Sequence, residues 1–131
     1  RYSTSGDYQV KENNQPLTDD DKSMVFNGVI SQLDKPSMEK KFGMKLPSDN
    51  DGWLLYDYFS TNGIEELPQG VSYAFIGLDK EGLTAVRNEL RPLWKYESDK
   101  LVVLASTKDI LTRAGYQNNL SSLKINELYE W

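Results

Sequence analysis

Eight residues near the middle of the chain, VSYAFIGL at 71–78, constrain its architecture more than any other stretch. Valine, tyrosine, phenylalanine and isoleucine favour extended backbone, and the run is apolar at odd and even positions alike. A strand with that pattern is buried on both faces, so it predicts a sheet with this segment at its centre. The rest of the chain has to supply flanking strands and the layers that cover them.

Downstream, Leu93 to Tyr96 and Lys100 to Ala105 flank Glu97-Ser98-Asp99. This predicts a hairpin whose second strand, KLVVLA, is buried. Several stretches carry helix-start signals instead. Thr18 precedes three aspartates, a hydroxyl cap with negative charge at the positive end of a helix dipole. Phe26, Val29, Ile30 and Leu33 follow at i, i+3, i+4 and i+7 and predict an amphipathic helix that ends before Pro36. Gly28 inside that helix implies a close neighbour, because glycine there costs about 1 kcal/mol against alanine. PSMEKKFGMKL at 36–46 predicts a short helix stopped at Gly43, with its lysines in solvent. Asp79 reads as the cap of a helix striped by Leu83, Val86 and Leu90 and ended by Arg91-Pro92. Ser106-Thr107-Lys108-Asp109 starts another, through Ala114 to a stop at Gly115.

Residues 48–63 read SDNDGWLLYDYFSTNG. Ser48 and Asp51 stand at capping-box spacing and Asn62-Gly63 is a stop signal, so the caps predict a helix over 51–60, although strand alternation fits the same residues. Leu120 to Trp131 suits either a last strand or a last helix. Together these elements predict an α+β domain over residues 19–131, a small, mostly antiparallel sheet with helices packed on one face. The polar stretch RYSTSGDYQVKENNQPLT at 1–18 reads as a flexible N-terminal arm.

The 131 residues are enough to bury roughly two-thirds of the unfolded chain's surface without disulfides or metals. The chain has no cysteine and no histidine, which removes thiol and imidazole catalysis, zinc sites with those ligands and histidine pH switching. Its net charge of -5, with no stripe of Lys and Arg, argues against nucleic acid and suits a basic protein partner or plain solubility. No run of 18 apolar residues occurs, so no membrane-spanning helix is expected. A sequence that opens on Arg1 and a polar arm fits a domain released from a leader or anchored to a membrane upstream of Arg1. The expected setting is therefore extracytoplasmic, periplasmic or secreted.

Among chemistry-bearing residues, Asp57 is the acid embedded in an apolar run, where desolvation would raise its pKa. The calcium-loop template fails around Asp49-Asn50-Asp51-Gly52, because its first and twelfth places fall on Pro47 and Tyr58. Gly77 and Gly82 have phosphate-loop spacing, but Leu83-Thr84 stand where Lys-Ser/Thr belongs, and Asp79 and Glu81 would repel phosphate. Ser106 and Lys108 are two apart rather than three, and Asn119-Leu120-Ser121 is a lone glycosylation triplet. The 8 tyrosines and 3 tryptophans against 4 phenylalanines are ring types enriched at interfaces. Tyr56, Asp57, Tyr58, Tyr129 and Trp131 are accordingly the candidate residues for partner or ligand binding, with no catalytic residue, metal or cofactor expected. The reading is a non-enzymatic protein–protein interaction domain, the soluble part of a secreted or membrane-anchored assembly component. The alternatives are a small acidic inhibitor or immunity protein that blocks a basic toxin or enzyme, and a small carbohydrate-binding or carbohydrate-processing domain.

Overall fold

The computed structural model describes the backbone of residues 6–61 and 71–131 and the side chains of 6–56 and 71–131. After a short 3₁₀ turn at Lys11–Asn13 come β1 (Leu17–Asp19), β2 (Lys22–Val29), α1 (Lys35–Phe42), α2 (Gly52–Thr61), β3 (Ser72–Asp79) and β4 (Gly82–Arg87). They are followed by β5 (Trp94–Ser98), β6 (Leu101–Ala105), α3 (Lys108–Arg113), β7 (Leu120–Ser122) and β8 (Tyr129–Glu130). The fold is α+β, with antiparallel strands and few, short helices. One sheet has the order β1-β2-β3-β4-β8 and the other the order β6-β5-β7. VSYAFIGL is the central strand β3, hydrogen-bonded to β2 on one side and β4 on the other.

Alternation along β3 sorts two cores. Phe75 and Tyr73 join Met24, Phe26 and Val86 under Trp53, Leu54, Leu55 and Tyr56 of α2. Ala74 and Ile76, on the opposite face, join Ala85 with Leu93, Leu104 and Leu123, which come from around the second sheet. On that sheet Lys95 looks towards β8, while Trp94 and Tyr96 lie on the side of α3. There the Tyr96 and Tyr116 rings meet at a tilt, centroids 4.7 Å apart, and Lys108 sits over Trp94. The layers therefore run α2, first sheet, second sheet, α3.

Two expected helices are hairpins. Residues 18–29 form the end of β1, a two-residue turn at Asp20-Asp21, and β2, with Asp19 paired to Lys22, and residues 30–33 leave the strand as a bend. Residues 79–91 begin with a second such turn at Lys80-Glu81, with Asp79 paired to Gly82, and continue as β4. An aspartate before a turn offers its carboxylate to the next backbone N–H groups whether those groups start a helix or close a hairpin. At Asp79 the carboxylate Oδ1 accepts from the N–H of Glu81 at 2.8 Å and of Gly82 at 3.2 Å. The spacing of Phe26, Val29, Ile30 and Leu33 misled for a related reason: Met24 and Phe26 are buried while Val25 and Val29 are exposed, a period of two. A third expectation also needs correction. β6, expected to be buried, is an edge strand with Leu101 exposed and its other residues half-buried.

The remaining helices form as expected. Asp34 caps α1, accepting from Ser37 N, and Gly43 ends it at φ 68°. Thr107, rather than Ser106, caps α3. The start of α2 is tied down by buried polar groups, with Ser48 Oγ accepting from Trp53 Nε1 and Asn50 Oδ1 accepting from Gly52 N. Asn50 Nδ2 in turn donates to the carbonyl of Asn13. Within the stretch expected to be an arm, Asn13 and Leu17 are both buried. Gly28 does have a close neighbour, though in a strand: a Cβ there would lie 1.8 Å from the Ser72 carbonyl oxygen.

Candidate functional site

Among the described residues, the α2 side of the first sheet is only partly covered. The helix packs against residues of β2, β3 and β4, and beside Tyr56 a groove of about 330 Å³ opens towards the β3–β4 turn and β8. Its position follows from alternation: Phe75, Gly77, Asp79, Thr84 and Glu130 share that face through the β3–β4 and β4–β8 registers. Tyr56 of α2 forms one wall, its ring edge-on to Phe75 at 6.0 Å. Gly77 leaves the floor low, since a Cβ there would press on the Phe75 ring and approach Tyr56. Asp79, Glu81 and Glu130 bring three carboxylates to the groove, and Leu128 and Trp131 border it.

The polar groups are fixed by specific bonds. Tyr56 is buried, and its hydroxyl donates to Asp79 Oδ2 at 2.9 Å. Desolvation, then Asp79 itself, pushes the Tyr56 hydroxyl far above the usual phenol range. The Glu81 N–H, followed by the Tyr56 hydroxyl, holds the Asp79 carboxyl below its ordinary 3.8. Asp79 is thus a permanent negative charge near neutral pH, and Tyr56 a permanent neutral donor. Lys22, on the same face, lies 4.9 Å from the Tyr56 ring centroid, so this ring already meets a cation.

These bonds predict a pH effect. A depressed folded pKa contributes stability that is present above the unfolded value and lost as pH falls through the folded value. Asp79 should therefore stabilise the fold above about pH 3.8, with that contribution disappearing in more acid solution. A carboxyl NMR titration checks it: Tyr56→Phe should raise the Asp79 pKa part of the way back, because the Glu81 and Gly82 N–H bonds remain. An Asp79 titration unchanged in Tyr56→Phe would refute the assignment.

Tyr129 and Trp131 form a second cluster, on the other face of the first sheet. Their rings stack at 5.8 Å, and Lys95 Nζ lies 5.3 Å and 5.9 Å from the two centroids. Lys95 pairs with Glu97, whose carboxylate also accepts from Trp131 Nε1 at 2.9 Å. The lysine, then the indole, holds Glu97 below its usual range. These aromatic groups are engaged mainly in joining β8 to the second sheet. The structure therefore brings Tyr56 to the groove, leaves Trp131 at its border, turns the rings of Tyr129 and Trp131 to the opposite face, and places Asp57 and Tyr58 on α2 with side chains outside the described set.

The groove's acids were passed over in the sequence. Asp79 and Glu81 were assigned to a strand-to-helix turn, and Glu130 gains meaning only from the pairing of β8 with β4 across more than 40 intervening residues. The hairpin signal Asp-Lys-Glu-Gly at 79–82 was the clue that would have placed the first two. Among the described residues no three acids converge closely enough to hold a metal ion, and no helix is long and apolar enough to cross a membrane. No protein-family model matches the chain, and no curated protein sequence matches it either.

Proposed function

We propose that this chain is a non-enzymatic protein–protein contact domain whose groove receives a basic side chain of its partner. The observation that carries the reading is the groove itself, where Asp79, Glu81 and Glu130 meet the wall formed by Tyr56 and Phe75. Carboxylates beside a ring suit an ammonium or guanidinium group, which gains both ion pairing and attraction to the ring face. Neither Asp79 nor Tyr56 titrates near neutrality, so neither is poised for acid–base work. An extracytoplasmic setting, as part of a secreted or membrane-anchored assembly, belongs to the same proposal. The inhibitor reading, in which the partner is a basic toxin or enzyme, is favoured by the same carboxylates and by the net charge of -5.

A short arginine-rich peptide tests the groove. Binding followed by calorimetry should weaken as salt rises. The double change Glu81→Gln and Glu130→Gln should lower affinity about tenfold, since exposed ion pairs contribute up to about 1 kcal/mol each. Binding that ignores both salt and the double substitution would remove the reading.

A further inference from the structure

The second sheet ends in a strand that lacks the usual protection. β6 reads LVVLA, with no charge, proline or glycine in its five residues, and it is the outer strand of the order β6-β5-β7. Edge strands of folded proteins ordinarily carry a lysine, a proline or a bulge that blocks further pairing. The other sheet edges are shorter: three residues in β1 and β7, two in β8.

The hairpin register says which groups face outward. Ser98 and Leu101 close a two-residue turn, so that pair exchanges both of its hydrogen bonds across the hairpin. Alternation then points the backbone of Leu101, Val103 and Ala105 towards β5. The N–H and C=O groups of Val102 and Leu104 point away from the sheet, and no hydrogen bond to another described residue engages them.

We propose that β6 pairs antiparallel with β6 of a second copy of this chain, centred on Val103, to make one continuous sheet across a two-fold axis. The outward groups limit the register to those that set even-numbered residues opposite one another, and centring on Val103 places Val102 opposite Leu104 of the copy so that their N–H and C=O groups meet. The same register sets Leu101 against Ala105, Lys100 against Ser106 and Asp99 against Thr107, polar facing polar and apolar facing apolar. Shifting it to centre on Val102 would set Lys100 against Leu104 and Asp99 against Ala105. In the preferred register residues 99–107 are complementary to themselves, apolar on apolar and polar on polar with no like charges opposed, which is the ground for a second copy as the occupant. Pairing also covers Leu101, now 46% exposed on the α3 side of the sheet. This inference does not depend on the groove.

The test uses sedimentation and cross-linking. The 15.0 kDa chain should show a concentration-dependent equilibrium between monomer and dimer, and Val102→Pro, which removes an outward N–H, should shift it to monomer. Because the chain has no cysteine, Val103→Cys introduces a single thiol at the axis. There the two copies' Cα atoms would lie about 4.5 Å apart, within disulfide range. Val103→Cys should oxidise to a covalent dimer at least tenfold faster than Leu101→Cys, whose thiol faces Ala105 of the copy; circular dichroism establishes that both variants are folded. A monomer at every concentration overturns the proposal and leaves the edge to a strand of a different protein. A dimer that survives Val102→Pro and cross-links equally at both positions overturns it as well, since its interface lies elsewhere.

Discussion

Gly28→Ala is expected to lower the unfolding free energy by about 3 kcal/mol. The glycine sits at the end of β2 with φ 155°, and a Cβ built on it would lie 1.8 Å from the Ser72 carbonyl oxygen and 2.8 Å from Tyr73 Cα. Both obstacles are backbone of β3, so no side chain can rotate out of the way. Relief requires the last pairs between β2 and β3, Gly28 with Tyr73 and Val29 with Ser72, to separate. Folded domains have only about 5–15 kcal/mol in total, so urea denaturation resolves the loss. A midpoint for Gly28→Ala within error of the parent chain would mean that the two strands part here at little cost.

Asp51→Ala should cost a similar amount, about 3–4 kcal/mol, by a different route. Asp51 is 2% exposed, and its Oδ2 accepts from the N–H of Ile30 at 2.7 Å and of Ser31 at 2.9 Å. Those N–H groups belong to the bend where the chain leaves β2. A carboxylate acceptor strengthens such bonds, and removing it leaves the buried Ile30 N–H and the half-buried Ser31 N–H without that acceptor. Asp51→Asn keeps an oxygen in the same place and should lose less than half as much. Equal losses for the two variants in urea denaturation would show that the negative charge, rather than the acceptor, is what matters.

These two positions also mark what the sequence made readable. VSYAFIGL announced itself as a central strand because both of its faces are apolar. The hairpin around Asp99 was legible for the same reason, with two β-prone runs flanking a polar turn. The helices that begin near Lys35 and Lys108 carried true caps and true stops, and the helix at Gly52 starts where its signals put it, while its expected stop at Asn62-Gly63 lies outside the described residues. The errors came at Thr18, whose acidic followers form a hairpin turn instead of a first helical turn, and at Asp79, whose carboxylate satisfies in a hairpin the same backbone donors it would in a helix. Asp51 was read as a cap, but its carboxylate reaches back about 20 residues to the end of β2, a tertiary bond that no local pattern encodes. The candidate site was legible only in part. Tyr56 does wall the groove, and Trp131 only borders it. The rings of Tyr129 and Trp131, each one residue from Glu130, are turned to the other side by the two-residue period of a strand, and the groove's acids depend on the long-range register of β8 against β4.

The bonds around β8 bear on how the chain comes apart. Tyr129 and Glu130 hydrogen-bond within the first sheet, while Lys95 and Glu97 hold the neighbouring rings from the second. Tyr129 and Trp131 thus belong by backbone to one layer and by side chain to the other. Neither sheet can open without disturbing the other, which makes unfolding a joint event rather than the sequential loss of two layers. Amide protons on β4 and β5 would then report a common opening energy, even though no backbone ladder connects them.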